Sequence, residues 1–493
     1  MRLGFDKDKY IEMQTARIRE RIGQFGGKLY LEFGGKLFDD YHASRVLPGF
    51  EPDLKASMLE QLHDEAEAVV VINADDIEHD KRRSDIGLSY ADDALRLLDA
   101  FKNMGLVAEN IVITHFAGQP HAEAWQRHVE EMGVHVARHY LIDRYPSDIA
   151  LAVSDEGFGR NDFVQTSRPL VVVNAPGPGS GKLATCLSQL YHEHKCGVQA
   201  GYAKFETFPV WNLPLKHPVN IAYEAATADL DDNNIIDPFH LDAYGTVTVN
   251  YNRDVETFPV LKAMMERIQG KSPYESPTDM GVNMVGNCIC DDEVCRDAAN
   301  NEIVRRWFAT AEQIRRTGTG EAALAKIELL MNEAGIDLDL SPARAAALAK
   351  EEATGLPAGA MVLPDGSIVT GKTSDLLGAA SSLIINALKR VADIPKETYI
   401  VADAALEPIC HLKTEHLRSR NPRLHSDETL IALSISSATD PLAARAIDCT
   451  DMLKGCDAYF SVIIAPTDEQ TYRKLGINVC CEPKFEKLAY YHS

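Results

Sequence analysis

The chain has 493 residues, 45% of them apolar and 25% charged, the make-up of a globular protein of about three domains rather than a disordered, collagen-like or coiled-coil chain. It carries 50 Lys and Arg against 73 Asp and Glu, a formal net charge of −23, and it has no basic run, which excludes nucleic acid and anionic membrane surfaces as expected partners. Apolar stretches such as 459–465 fall far short of the roughly 18–20 residues of a spanning helix. The N-terminus turns charged at once, unlike a signal peptide, and ten scattered cysteines read as reduced thiols, so a cytoplasmic location is expected.

A helix opens the chain, because Ile11, Thr15, Ile18, Ile22 and Phe25 share one face of a 3.6-residue repeat. Strands are expected at 29–33, 68–73, 110–115, 169–174 and 199–205, with helices such as 90–104 and 122–132 between them. Continuous Val/Ile runs alternating with helices indicate an α/β domain with a mostly parallel, doubly wound sheet, assigned to residues 1–255. A mainly helical segment follows over 256–355, with helices at 262–269, 302–316, 321–334 and 341–350. The stretch 269–277, with its Gly, Ser and two prolines, suits a linker. A second, smaller α/β domain covers 356–493, with strands at 361–363 and 367–370 around Asp365-Gly366, a helix at 374–391, and further strands at 398–401, 458–464 and 477–481.

The strongest chemical signal is at 171–185. A buried strand ends at Asn174, a turn carries Gly177, Gly179, Ser180 and Gly181, and a helix begins near Lys182. That order suits phosphate: glycines let several N–H groups converge, the helix N-terminus adds partial positive charge, and Lys182 adds a full one. The Walker pattern is imperfect, since Pro176 holds its first Gly position and Leu183 stands where Ser or Thr would bind Mg²⁺; Thr185 or Ser180 is the substitute candidate. The turn also nearly fits Gly-x-Gly-x-x-Gly, with Lys182 at the last Gly. Downstream, Lys204, Glu206 and the acids of 229–232 loosely resemble the dethiobiotin-synthase and amidoligase branch of phosphate-loop enzymes over some seventy residues. That likeness implies Lys204 and Glu206 near the phosphate, with one of the acids on Mg²⁺.

A second string, Gly366 to Thr373, fits the Walker expression letter for letter. Asp365-Gly366 makes a hairpin, however, so 367–370 is the returning strand and not a phosphate-wrapping loop. Glu32, Lys36, Asp39 and His42 lie at or just after the end of the first strand, Asp75 after the second and His115 at the end of the third; residues there lie at the carboxyl edge of the sheet and are the substrate-site candidates. Cys288, Cys290 and Cys295 supply three thiols and no fourth ligand, so no metal site is assigned. His192-Glu193-His194-Lys195-Cys196 lacks the second histidine of a zinc peptidase.

Three stretches, 176–186, 204–214 and 370–380, are similar to the bacterial domain-of-unknown-function family 1846, over nearly the whole chain. That resemblance implies a cytoplasmic protein of several domains and no particular activity; the ATP-dependent peptidase label carried by some members has no basis in these residues. The leading expectation is a nucleotide- or phosphate-binding enzyme, with ATP and Mg²⁺ as candidate cofactors, performing phosphoryl transfer or ATP-driven ligation on a small molecule. The alternative is a non-catalytic or regulatory protein holding a phosphorylated metabolite at the same loop. Homo-oligomerisation is compatible with either.

Overall fold

The computed structural model describes residues 2–83, 87–230 and 232–486. They form two compact units, 2–227 with 232–299, and 228–230 with 300–486.

The first unit is built on β1 (Leu29–Phe33), β2 (Ala66–Asn73), β3 (Val107–Phe116), β4 (His135–Tyr140), β5 (Leu170–Asn174) and β6 (Gly201–Phe205). A two-stranded antiparallel ribbon, β7 (Asn234–Ile236) and β8 (Val249–Tyr251), stands apart, and β9 (Gly281–Val282) completes the main sheet. The order is β4-β3-β2-β5-β1-β6-β9, every neighbouring pair parallel. The β-branched runs of β2 and β5 are buried, as expected of strands covered on both faces. β4 escapes the sequence reading because its residues, His-Val-Ala-Arg-His-Tyr, are largely polar and half-exposed at the sheet edge.

Side chains alternate across the sheet. On one face Tyr30 donates a 2.7 Å hydrogen bond to Glu193 of the helix Lys182–Lys195. On the other, Phe33 stacks on Phe205 with centroids 4.1 Å apart, and the helix Lys7–Gln24 packs along β6 and β9. After β2 the chain moves outward to β3 and β4; after β5 it moves the other way, to β6 and β9. β2 and β5 are neighbours, so their carboxyl ends flank the crevice where open α/β sheets bind ligands. The stretch 269–277 is packed rather than a free linker: Tyr274 is buried and its hydroxyl donates to the Tyr202 carbonyl.

The second unit contains the helices Glu321–Ala334 and Pro342–Thr354 and a mixed sheet, β11-β10-β12-β13. Here β10 is Ala358–Val362, β11 Ile368–Lys372, β12 Asp457–Phe460 and β13 Asn478–Cys481. β10 and β11 form the hairpin read from Asp365-Gly366; Gly366 has φ 80° and Asp365 Oδ1 accepts from Ser367 N at 2.9 Å. Two sequence expectations need correction. The helix starts at Ala379, not residue 374, because Ser374 closes a turn onto Leu377. Residues 398–401 are no strand: Thr398 N–H turns back to Pro395, and the Lys389 ammonium occupies the carbonyls of Lys396 and Thr398.

Candidate functional site

The glycine loop leaves β5 at the crevice beside β2. Asn174 is buried; its Oδ1 accepts the Ala175 N–H at 2.6 Å, and its Nδ2 has no partner. Gly179 and Gly181 take φ of 75° and 88°, the left-handed region that glycine enters without strain. Gly177 is needed for space: a Cβ there would run into the Tyr90 hydroxyl. Gly181 caps the helix Lys182–Lys195 without any side-chain hydrogen bond. Among the described residues, the main-chain N–H groups of Gly179 and of Gly181 through Ala184 donate to no protein acceptor, while Ser180 N–H closes the turn onto Gly177. A helix leaves four such donors at its start; the turn adds that of Gly179.

β3 fixes this loop from the side. Thr114 Oγ1 donates to the Ser180 carbonyl at 2.7 Å. The Asn73 side-chain nitrogen lies 3.1 Å from His115 Nδ1 and reaches the Gly179 carbonyl at 3.5 Å. His115 sits at φ 53°, and Gln119 joins its carbonyl to the Asp75 carboxylate at 3.0 and 2.9 Å. His115, Asp75 and the glycine loop therefore share one rim. The Ser180 hydroxyl donates to the Gly177 carbonyl at 2.7 Å, and Thr185 is fully buried with an unpartnered hydroxyl.

A second group lies at the carboxyl ends of β1 and β6. Glu32 and Lys204 are in register across these strands, so they share a face. The Lys204 ammonium pairs with Glu206 at 2.7 Å and with Asp254, and lies over the Tyr251 ring. Burial opposes its charge, yet Asp254, Glu206 and Glu32 hold it protonated well beyond the ordinary lysine range. Burial also pushes the Glu206 carboxyl up, with Asp254 adding to the effect and Lys204 opposing it. Tyr202 donates to Glu32 Oε2 at 2.8 Å. Burial and Glu32 push the Tyr145 phenol up to about 12. Burial and Glu32 raise the Cys186 thiol, while Lys182 pulls it down, so the Glu32 carboxylate stands within electrostatic reach of both Lys204 and Cys186.

A third group is the segment after β1. Lys36 is exposed, and its carbonyl accepts from the buried Lys55 ammonium at 3.0 Å. Lys55 pairs with Asp40 at 2.6 Å; although burial works against it, this cation holds the Asp40 carboxyl below its usual range. Asp39 takes φ 57°, and the His42 ring meets Phe208 and Tyr223 edge-on at 5.1 and 5.4 Å.

A family model described as "Domain of unknown function DUF1846, N-terminal" matches residues 3–335, and its C-terminal counterpart matches 339–491. The chain belongs to the DUF1846 family. It is 55% identical over 492 residues to a UPF0371 protein of Corynebacterium efficiens, covering 100% of this chain and 99% of that one. It is 54% identical over 482 residues to a UPF0371 protein of Streptococcus pneumoniae serotype 19F, covering 98% of each. These bacterial relatives span the chain end to end, as the resemblance read from 176–186, 204–214 and 370–380 implies.

In this DUF1846 chain, Asp232 is held by Arg253 through contacts of 2.6 and 2.7 Å, Asp229 is exposed, and Asp231 lies outside the described residues. Among the described residues, no group of three or more His, Cys, Asp or Glu is arranged around a metal position. Cys290 and Cys295 face the Leu3 and Gly4 carbonyls, and Cys288 faces Met13. Mg²⁺ with a phosphate ligand needs fewer protein donors, since it is bound through one or two carboxylates and keeps its waters. No helix among the described residues is long and apolar enough to cross a membrane. Asp254, Tyr202, Tyr145 and Cys186 escape the sequence reading, because only the fold brings them to Glu32 and Lys204 from segments up to 222 positions away, from Glu32 to Asp254.

Proposed function

We propose that this chain binds the phosphate of a nucleotide or other phosphorylated small molecule at Gly177–Lys182, and acts as a phosphoryl-transfer or ATP-driven ligating enzyme. The observation that carries the reading is the set of unpaired main-chain N–H groups of Gly179 and of Gly181 to Ala184, beside the partly buried Lys182, at the crevice between β2 and β5. Such a set is an anion receptor with the helix dipole behind it. Lys182 supplies the full charge, and Asn73, Asp75 and His115 form the rim on which an acceptor would rest.

One feature favours the non-catalytic alternative. Lys204 is engaged by Asp254 and Glu206, so it is not free to neutralise a transferring phosphoryl group. Calorimetric titration of the full chain with ATP and Mg²⁺, beside Lys182→Ala, tests binding; release of ADP or phosphate with small-molecule acceptors tests turnover. Micromolar binding lost in the variant supports the loop, and turnover then selects the enzyme. Absent binding by a parent as stable as the variant overturns both readings. The proposal includes a cytoplasmic location, supported by ten cysteines that are all free, and small-molecule rather than nucleic-acid or membrane partners, supported by the charge of −23.

A further inference from the structure

A cavity of about 290 Å³ opens in the first unit, walled by Arg17, Arg21, Phe25, Tyr244, Tyr274 and Asp279. It is distinct from the glycine loop. Phe25 covers Gly201, the first residue of β6, so closely that a Cβ there would overlap its ring. The glycine loop leaves the last residue of β5, and the two sites therefore lie toward opposite ends of the strands, on the order of 15 Å apart for five residues.

The wall carries a cation whose acceptors are neutral. Arg21 is only 6% exposed. Its Nη1 donates to the Gln24 side-chain oxygen at 3.2 Å and its Nη2 to the main-chain oxygen of Asp279, while its Nε has no partner. Among the described residues, no carboxylate sits within salt-bridge distance of it. The Asp279 carboxylate is occupied elsewhere, accepting from the Tyr244 hydroxyl at 2.8 Å and from Glu275 N at 3.1 Å. Arg17 pairs with Glu20 at 2.5 Å through Nη1, and its Nε is also buried without a partner. A buried charge needs a counter-charge to offset lost hydration, and the planar guanidinium fork matches a carboxylate or phosphate. Tyr274 lies against Arg21, 5.4 Å from guanidinium to ring centroid, and Phe25 meets Tyr274 at 6.1 Å. Phe25, Tyr244 and Tyr274 thus give the cavity an aromatic side, beside Gln24, Pro273 and Asp279. The volume sits at the lower bound of small-molecule pockets, about 300 Å³, which suits a single-ring compound.

We infer that this cavity binds a small single-ring organic anion, its carboxylate or phosphate against Arg21 and Arg17 and its ring against Tyr244 and Tyr274. The test is calorimetric titration of the full chain with benzoate and with phenyl phosphate, using the parent, Arg21→Gln, Arg17→Gln and Lys182→Ala. The expected result is one saturable site per chain for at least one probe, weakened about tenfold or more in both arginine variants through loss of charge-assisted hydrogen bonds, and unchanged in Lys182→Ala. The probe that binds more tightly identifies the anionic group. Arg21→Gln removes a buried group, so Arg17→Gln, on a half-buried side chain, decides the matter if the former does not fold. No saturable binding of either probe, equal binding by Arg17→Gln, or binding lost only in Lys182→Ala overturns the inference.

Discussion

Thr114 holds the glycine loop by a single hydrogen bond: its Oγ1 donates to the Ser180 carbonyl at 2.7 Å, from β3 across the end of β2. Both residues are buried, so neither can substitute water for the other. Thr114→Val keeps the shape and removes the donor, leaving a buried carbonyl unsatisfied at a cost of about 1–3 kcal/mol. The expected outcome is a modest fall in melting temperature with a larger loss of ATP affinity, because the loop keeps only the longer Asn73 contact to Gly179. Equal affinity in Thr114→Val and the parent would show that this bond does not order the loop for binding.

Two glycines of the same loop fail for different reasons when replaced. Gly177→Ala places a methyl on the buried Tyr90 hydroxyl, an overpacking of typically about 1–3 kcal/mol. Gly179→Ala meets nothing within 4 Å but must hold φ 75°, a strain of about 1–2 kcal/mol. The overlap includes the ring carbon that carries the hydroxyl and its neighbour, so a compensating Tyr90→Leu should rescue Gly177→Ala and leave Gly179→Ala unchanged. Thermal melts of the two double variants check this; rescue of both or of neither contradicts the steric assignment.

Glu206 gives a dependence on pH with a definite sign. Burial raises its carboxyl above the ordinary 4.5, and Lys204 does not fully cancel the effect. A carboxyl that binds its proton more tightly in the folded chain favours folding at low pH, and this contribution is lost as pH rises from about 4.5 through the raised value. Glu206→Gln carries no proton to lose. Its melting temperature relative to the parent should climb between about pH 5 and about pH 8. Asp254 shifts the other way, held below its ordinary 3.8, and acts at more acidic pH than this window. A difference between parent and variant that stays flat refutes the assignment.

The Walker-like string of the second unit should be silent toward nucleotide. Lys372 belongs to β11, paired with Ala358 of β10, and Lys372→Ala should leave the ATP titration unchanged while Lys182→Ala abolishes it. Gly371→Ala should instead destabilise the second unit, because a Cβ there would overlap the backbone of Leu383 on the helix Ala379–Val391. Loss of nucleotide binding in Lys372→Ala would move the phosphate site to the second unit.

The strands that bury Val and Ile were legible because burial on both faces leaves a continuous apolar run: β1 falls at 29–33 as read, and β5 within one residue. The loop after β5 was legible because glycine, lysine and helix onset are local signals. The partners of Lys204 were not. Asp254 lies at the start of the helix Asn252–Gln269, fifty positions further on, and reads in sequence as a solvated acid in a helix's first turn. Nothing local distinguishes it from Asp92, which accepts from its own cap residue, Ser89, at 2.7 Å. Similarly, the expected strand at 398–401 had the right residue types but lacked a neighbouring strand, and only tertiary structure supplies or withholds that neighbour.

The position of β5 between β2 and β1 sets an order on synthesis. β1 pairs with β5 and β6 and never with β2. A nascent chain that has emerged only as far as residue 168 has β2, β3 and β4 ready to pair and β1 with both edges bare, an arrangement prone to edge-to-edge association. The ribosome must deliver the strand leading to Gly177 before the sheet can close, so the glycine loop and the seam that joins the two halves of the sheet arrive together. A chain truncated before that point is expected to aggregate, and one extended through residue 205 completes both edges of β1.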